Sequence, residues 1–396
     1  MLNTRQLFLK HMAPTSSFPL MLEIESSEGV YLIKPDGTKM MDLISGIGVS
    51  NIGHRHPAVV EAIKEQADKY LHTMVYGEYV LAPQVELAKL LTEQLPEQLN
   101  SVYYVNSGSE ATEGAMKLAK RKTGRAEIIA CKKAYHGSTQ GAASLMNPTD
   151  YTRAFYPLLP GIAHIEYNIF EDLSTITENT AAVIVETVQG EWGVRKPLAC
   201  YLRALRERCT AVGALLIFDE IQAGYGRTGS LWAFEQYQVI PDILLLAKGM
   251  GGGMPIGAFV SSQEIMKSLS VDPILGHITT FGGHPVNCAA ALACLKTILD
   301  EKLVEGVKAK ETIFRSKLKH PLIKEFRSAG LLMAMELDSF DRVQRVIEYC
   351  LNNGLIVDWF LFNTESVRIA PPLIITKKEI ETACSIILKA LDYAND

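Results

Sequence analysis

Six short runs decide most of what this chain can fold into. SVYYVN (101–106), AEIIAC (126–131), AAVIVE (181–186), ALLIFD (214–219), DILLLA (242–247) and GAFVSS (257–262) are continuously apolar rather than alternating. That is the pattern of strands buried on both faces, and the segments between them, such as EATEGAMKLAKRKTG, have helical length and period. An α/β chain with a mostly parallel sheet covered by helices follows.

The ends of the chain read differently. EGVYLIKPDGTKMMDL (28–43) has the form of a hairpin with its turn at PDGT. Beyond about residue 290 the pattern becomes helix, hairpin-like pieces such as GLLMAMELD, and a final helix near 377–393. A chain of 396 residues exceeds what one core accommodates. We expect a small α+β domain built from residues 1–48 and 291–396, and a large domain over 49–290.

Composition narrows the partners. Apolar residues make up 48% and charged residues 21%, and a net charge of −5 comes with scattered basic residues. That is an ordinary globular balance with no footprint for nucleic acid or an anionic membrane, so small-molecule partners are expected. The first residues lack the apolar core of a signal peptide, and no run reaches the roughly 20 apolar residues of a membrane span, so a cytoplasmic protein is expected. Seven cysteines (131, 200, 209, 288, 294, 350, 384) include no CxxC pair and read as reduced core thiols. His54 and His56 in GHRHP have no third ligand nearby and read as a polar loop, so no metal is expected.

In open parallel sheets ligands sit outside the carboxyl ends of the strands. Here those ends carry Asn106-Ser107-Gly108-Ser109, Glu186, Asp219 and Lys248. YYVNSGSEATEGAMKLAK is strand, small-residue turn and helix, so the backbone N–H groups of Gly108 and Ser109 and the helix dipole suit a phosphate. An ordinary capped helix, with Ser107 or Ser109 as the cap, has the same signature. Asp219 and Lys248 decide between the two. A carboxylate at a buried strand end needs a cationic partner, which a protonated pyridine nitrogen supplies. A partly desolvated lysine, followed here by the glycines of GMGGGMP, is the residue that forms a Schiff base with an aldehyde. Phosphate cradle, ring-nitrogen acid and lysine together describe a pyridoxal phosphate site. A nicotinamide-dependent oxidoreductase shares the sheet, but no GxGxxG joins a first strand to a helix.

At this point the chain resembles the class-III pyridoxal-phosphate aminotransferases of fold type I, near the acetylornithine, ornithine and 4-aminobutyrate group. The likeness is carried by GIGVSNIGHRHP, NSGSEATEGAMKLA, YHG, VETVQGEWG, FDEIQAGYGRTG, AKGMGGGMPIGA, TTFGGHP and VRIAPPL, in that order from 46 to 373. It implies Lys248 as the Schiff-base lysine and proton carrier, Asp219 on the pyridine nitrogen, and Ser107, Gly108 and Ser109 on the phosphate. Gln222 would meet the ring hydroxyl, Tyr135 and Ile221 would hold the two ring faces, and His136 and Glu186 would complete the cofactor site. Thr280 would reach the phosphate of a neighbouring subunit, which implies a homodimer with shared sites. Arg368 would bind a substrate α-carboxylate, with Glu191 covering it when an ω-amine is present, and Tyr31, Ile47 and Ser138 would line the substrate.

The implied reaction is a ping-pong transamination from an ornithine-, acetylornithine- or 4-aminobutyrate-like amino donor to a 2-oxo acid, either 2-oxoglutarate or pyruvate. An aminomutase, a decarboxylating relative, a relative acting on another amine, or a non-catalytic protein that binds the cofactor would keep the same cofactor residues. Two departures bear on the substrate. Ser138 in YHGST stands where the group carries an arginine for the distal carboxylate, and His284 replaces the asparagine of GGNP. Arg153 and Arg195 are the nearest replacements by sequence for the missing arginine. Ile47, where ornithine-specific members carry tyrosine, argues against strict ornithine preference.

Overall fold

The computed structural model describes residues 2–147 and 149–395. Seven strands form the large sheet: β1 (Ser101–Val105), β2 (Glu127–Cys131), β3 (Ile162–Ile165), β4 (Thr180–Glu186), β5 (Leu215–Asp219), β6 (Ile243–Leu246) and β7 (Gly257–Ser261). Their order across the sheet is β1-β7-β6-β5-β4-β2-β3. The pairs β3/β2, β2/β4, β4/β5 and β5/β6 are parallel, whereas β7 is antiparallel to both β6 and β1. The run 257–262 therefore belongs to the sheet but reverses its direction. The ten residues between β6 and β7 hold only a 3-10 turn, too short for the crossover a parallel partner requires. β3, a four-residue strand at the sheet edge, was too short to stand out in the sequence.

Strand β4 is buried at every residue, and clusters of apolar side chains pack on both faces of the sheet. Helix α1 (Gly108–Thr123) starts at the end of β1, is capped by the Ser107 hydroxyl on the Glu110 N–H, and ends at left-handed Gly124. On one side it packs so closely that a Cβ on Gly114 would collide with the Phe259 ring.

The hairpin at the N-terminal end forms as expected, with Tyr31–Ile33 antiparallel to Lys39–Asp42 and Asp36 and Thr38 closing its turn. Lys39–Asp42 also pairs, in parallel, with Leu355–Ile356 near the other end of the chain. Val30, Met41 and Leu43 share an apolar core with Val343, Ile347, Ile380 and Ile387, so the two ends of the chain enclose one core. A second four-stranded sheet, which carries Arg368, completes this part.

Candidate active site

The cavity at the carboxyl ends of the large sheet's strands has a volume of about 410 Å³. Ser107, Gly108, Ser109, Tyr135, His136, Glu186, Glu191, Asp219, Ile221, Gln222 and Lys248 all line it, joined by Val49, Met254, Pro255 and Ile256.

Asp219 and Lys248 reach the cavity from adjacent parallel strands, Asp219 standing opposite Leu245 in the register. Asp219 is 4% exposed, and both its oxygens are engaged: Oδ1 accepts the Ile221 N–H at 2.9 Å and Oδ2 meets His136 Nδ1 at 2.6 Å. Burial acts against a charged His136, but the hydrogen bond and charge of Asp219, with Glu186 behind, outweigh it and raise its pKa. Burial lowers the Lys248 amine below the usual lysine value, with Glu191 pulling upward and Arg368 downward. The lysine backbone is held at φ 45°, a left-handed conformation that costs a non-glycine residue about 1–3 kcal/mol. Its neighbour Gly249 lies against Asn51, where a Cβ would sit 2.7 Å from Nδ2.

Glu186 does more than its position at a strand end announced. One oxygen accepts the Tyr135 N–H and the other the Gly190 N–H, both at 2.7 Å, so a single carboxylate ties the Tyr135 loop to the loop of Glu191. Desolvation raises its pKa to about 7.

Glu191 and Arg368 meet at 2.7 Å, with side chains only 7% and 2% exposed. The Leu361 N–H also donates to Glu191, and the guanidinium lies 4.5 Å over the Phe360 ring. A further acid, Asp358, stands 3.4 Å from Arg368 Nε. Nothing in the sequence pointed to it.

Other expected residues are placed less centrally. The Ser138 hydroxyl bonds the Tyr135 hydroxyl at 2.8 Å, at the rim rather than the floor. Tyr135 faces Phe362 at 6.5 Å, and Phe362 meets Tyr151 edge-on at 5.3 Å, so aromatic rings wall this side. Arg195 is committed to Glu325 and Glu336 and lies over Trp192, while Arg153 is exposed on a short turn and does not line the cavity. Neither replaces the arginine missing at 138. Ile47 lies on a turn, Ser45–Gly48, whose four residues all have positive φ, next to cavity-lining Val49. Thr280 is exposed, its carbonyl 2.8 Å from His72 Nε2. Tyr31 does not line this cavity; it lines a separate surface hollow with Lys39 and Glu379. Cys200 is exposed, unlike the other six cysteines, which are free and buried. His54 pairs with Asp42 at 2.8 Å and His56 with Glu301 at 3.5 Å.

These residues fit pyridoxal phosphate. The N-terminus of the 16-residue helix α1 opens into the cavity beside Asp219 and Lys248. Gly108 lines the cavity, and a Cβ there would stand 2.9 Å from Ile221 Cδ1, so glycine keeps this part of the lining backbone alone without displacing Ile221. The buried Gln222 Nε2 has no partner among the described residues and is available as a donor to a ring substituent.

Comparison with known proteins agrees with the geometry. The chain matches the Aminotransferase class-III family over residues 12–391. It is similar to the acetylornithine aminotransferase of Methanopyrus kandleri, 40% identical over 396 residues that cover 98% of this chain and 99% of the relative. The acetylornithine aminotransferase of Methanocaldococcus jannaschii is 41% identical over 384 residues, covering 92% and 91%. Among solved structures, the ornithine aminotransferase from Toxoplasma gondii aligns with a TM-score of 0.91 at 31% identity, covering 100% and 96%. A transaminase from the marine bacterium Virgibacillus aligns at 0.93 with 28% identity, covering 98% of each chain. Fold and site together define a pyridoxal-phosphate-dependent transferase of fold type I. The chain belongs to the class-III aminotransferase family, and it is a transaminase whose cofactor is pyridoxal 5′-phosphate.

Proposed function

We propose that this transaminase removes the distal amino group of an ornithine-like donor, N-acylated at its α-nitrogen, and delivers it to a 2-oxo acid in two alternating half-reactions. The observation that carries this reading is the buried Glu191–Arg368 pair at 2.7 Å. With Glu191 in place the guanidinium is covered, and the site suits an ω-amine whose reacting carbon bears no carboxylate. A 2-oxo acid carries a carboxylate beside its reacting carbon, which takes Arg368 once Glu191 moves aside. One site that serves two such partners in turn gives ping-pong kinetics.

When bound, the cofactor supplies an aldehyde carbon to receive the nitrogen and a cationic ring to take up electrons. In this reading Gly108, Ser109 and the start of α1 hold its phosphate, with Ser107 capping the helix. Tyr135 and Ile221 confine the ring, Gln222 meets its hydroxyl and Asp219, oriented by His136, keeps its nitrogen protonated. The Lys248 amine, its proton loosened by burial, carries protons at the substrate carbon.

The rings of Tyr135, Tyr151 and Phe362 suit an N-acyl group in place of an α-ammonium, in keeping with the printed names of the relatives. The reading includes a homodimer: Met74, Ile274, Leu275 and Ile278 line an exposed apolar groove, and Thr280 is exposed nearby. It also includes a cytoplasmic location; no helix of the described residues is long and apolar enough to cross a membrane.

The test follows the cofactor's absorbance as N-acetylornithine, ornithine and 4-aminobutyrate are added singly, with product analysis by mass spectrometry. N-acetylornithine is expected to react fastest and to yield the aldehyde at its distal carbon. Loss of the α-nitrogen from ornithine, or carbon dioxide release, would sink the reading.

A further inference from the structure

Arg368 has two kinds of neighbour. Asp358, Trp359 and Phe360 lie on the strand paired directly with its own, and Asp358 is its cross-strand partner in the register. From that hairpin Asp358 Oδ1 approaches Nε at 3.4 Å, the Trp359 carbonyl accepts from Nη2 at 3.2 Å, and the Phe360 ring supports the guanidinium at 4.5 Å. Glu191 comes from a loop of the large sheet and touches Nη2 alone. Nε and Nη1 are buried, and neither they nor Asp358 Oδ1 has a hydrogen-bond partner among the described residues, so Asp358 acts on Nε by charge alone.

A guanidinium free to turn would offer Glu191 two parallel N–H groups, the stronger arrangement. Here it offers one. We propose that Asp358 is a positioning residue that holds the Nε side of Arg368 by its charge, 3.4 Å away, so that Glu191 latches through a single contact at Nη2 and Nη1 is left for an incoming carboxylate. The proposal rests on the reading of Arg368 as the α-carboxylate site.

The repulsion of Asp358 for other carboxylates does not decide the balance. Either Glu191 or the substrate occupies the guanidinium, and Asp358 opposes both alike. What changes on losing Asp358 is the freedom of Arg368 to rotate into a two-contact pair with Glu191, which deepens the covered state. Burial raises the Asp358 carboxyl to about 6, with Arg368 opposing and Glu191 and Asp42 adding to the rise; Asp42 is itself paired with His54. The anchor is therefore ionised at neutral pH and is lost as pH falls through about 6.

Asp358→Asn in the holoenzyme tests this. We expect KM for pyruvate to rise about tenfold with kcat nearly unchanged, and calorimetric affinity for propionate, an unreactive carboxylate, to fall by about the same factor, the scale of exchanging a charge-assisted contact for a neutral one. The half-reaction with a carboxylate-free amine such as 1,4-diaminobutane should keep its rate. Adding Glu191→Gln should abolish the effect, because the rival partner is then gone. Unchanged or tighter propionate binding overturns the proposal, and so does an equal loss in the amine half-reaction. Should Asp358→Asn not fold, the parent enzyme decides: propionate affinity falling between pH 7 and about 5.5 supports the anchor, and a flat profile refutes it. Arg368→Ala separates the two layers, since undiminished propionate binding there would remove the α-carboxylate reading itself.

Discussion

The floor of the active site and its substrate wall are built on different terms. Every chemical group on the floor stands at or just beyond the end of a large-sheet strand, and each is fixed by backbone: Glu186 by two N–H groups, Asp219 by the Ile221 N–H, Lys248 by a strained φ next to Gly249. The wall is assembled from loops and a hairpin on separate sheets, where Glu191, Arg368 and Asp358 hold one another by side-chain charge. In the proposed reading the floor is preorganised for one cofactor, whereas the wall rearranges between two substrates. Changes in the floor should abolish chemistry, and changes in the wall should redistribute it.

Lys248→Ala gives the sharpest break, with complete loss of turnover and cofactor removable by dialysis. Normal transamination by that variant would end the assignment of the lysine. Asp219→Asn should keep the cofactor but lose about 10²–10³-fold in kcat, the usual penalty for removing one electrostatic partner of developing charge. A near-normal kcat would show that His136 or another group serves the ring nitrogen instead.

The floor should also leave a mark on stability. Burial raises Glu186 to about 7 and, just behind the cavity lining, Glu220, which follows Asp219 and accepts the Ala233 and Phe234 N–H groups, to about 8, from an ordinary 4.5. The folded protein thus keeps protons that the unfolded chain releases. Stability from these groups is full below about pH 4.5 and declines as pH rises through their folded values. Between pH 6 and 8 the cofactor-free protein should lose on the order of 2–4 kcal/mol, measured by urea unfolding. Constant or rising stability across that interval would mean that both carboxylates are ionised inside the fold.

The wall gives the smallest effect. Ser138→Arg should raise kcat/KM for 2-oxoglutarate relative to pyruvate by about tenfold, the worth of one charge-assisted contact over a neutral one. No change would mean that Ser138, bonded to Tyr135, does not face the acceptor.

The same contrast explains what could be read from the chain. Buried parallel strands announce themselves as unbroken apolar runs, so Ser107, Glu186, Asp219 and Lys248 were visible as the residues that end them, and their chemistry followed. Strand direction was not visible, because a strand buried on both faces looks alike either way; β7 is the example. The wall was legible only where motifs marked it, at Glu191 and Arg368. Asp358 was hidden because its meeting with Arg368 depends on the pairing of a hairpin whose register shifts between Trp359 and Phe360. Tyr31 misled because an aromatic residue on a short strand carries no sign of which surface it will face.

The most direct test of the account is the site of attachment. Borohydride reduction of the holoenzyme, followed by proteolysis and mass spectrometry, should place a phosphopyridoxyl group on the peptide containing Lys248 and on no other. Modification of a different lysine, or none at all, would contradict the architecture proposed for the floor.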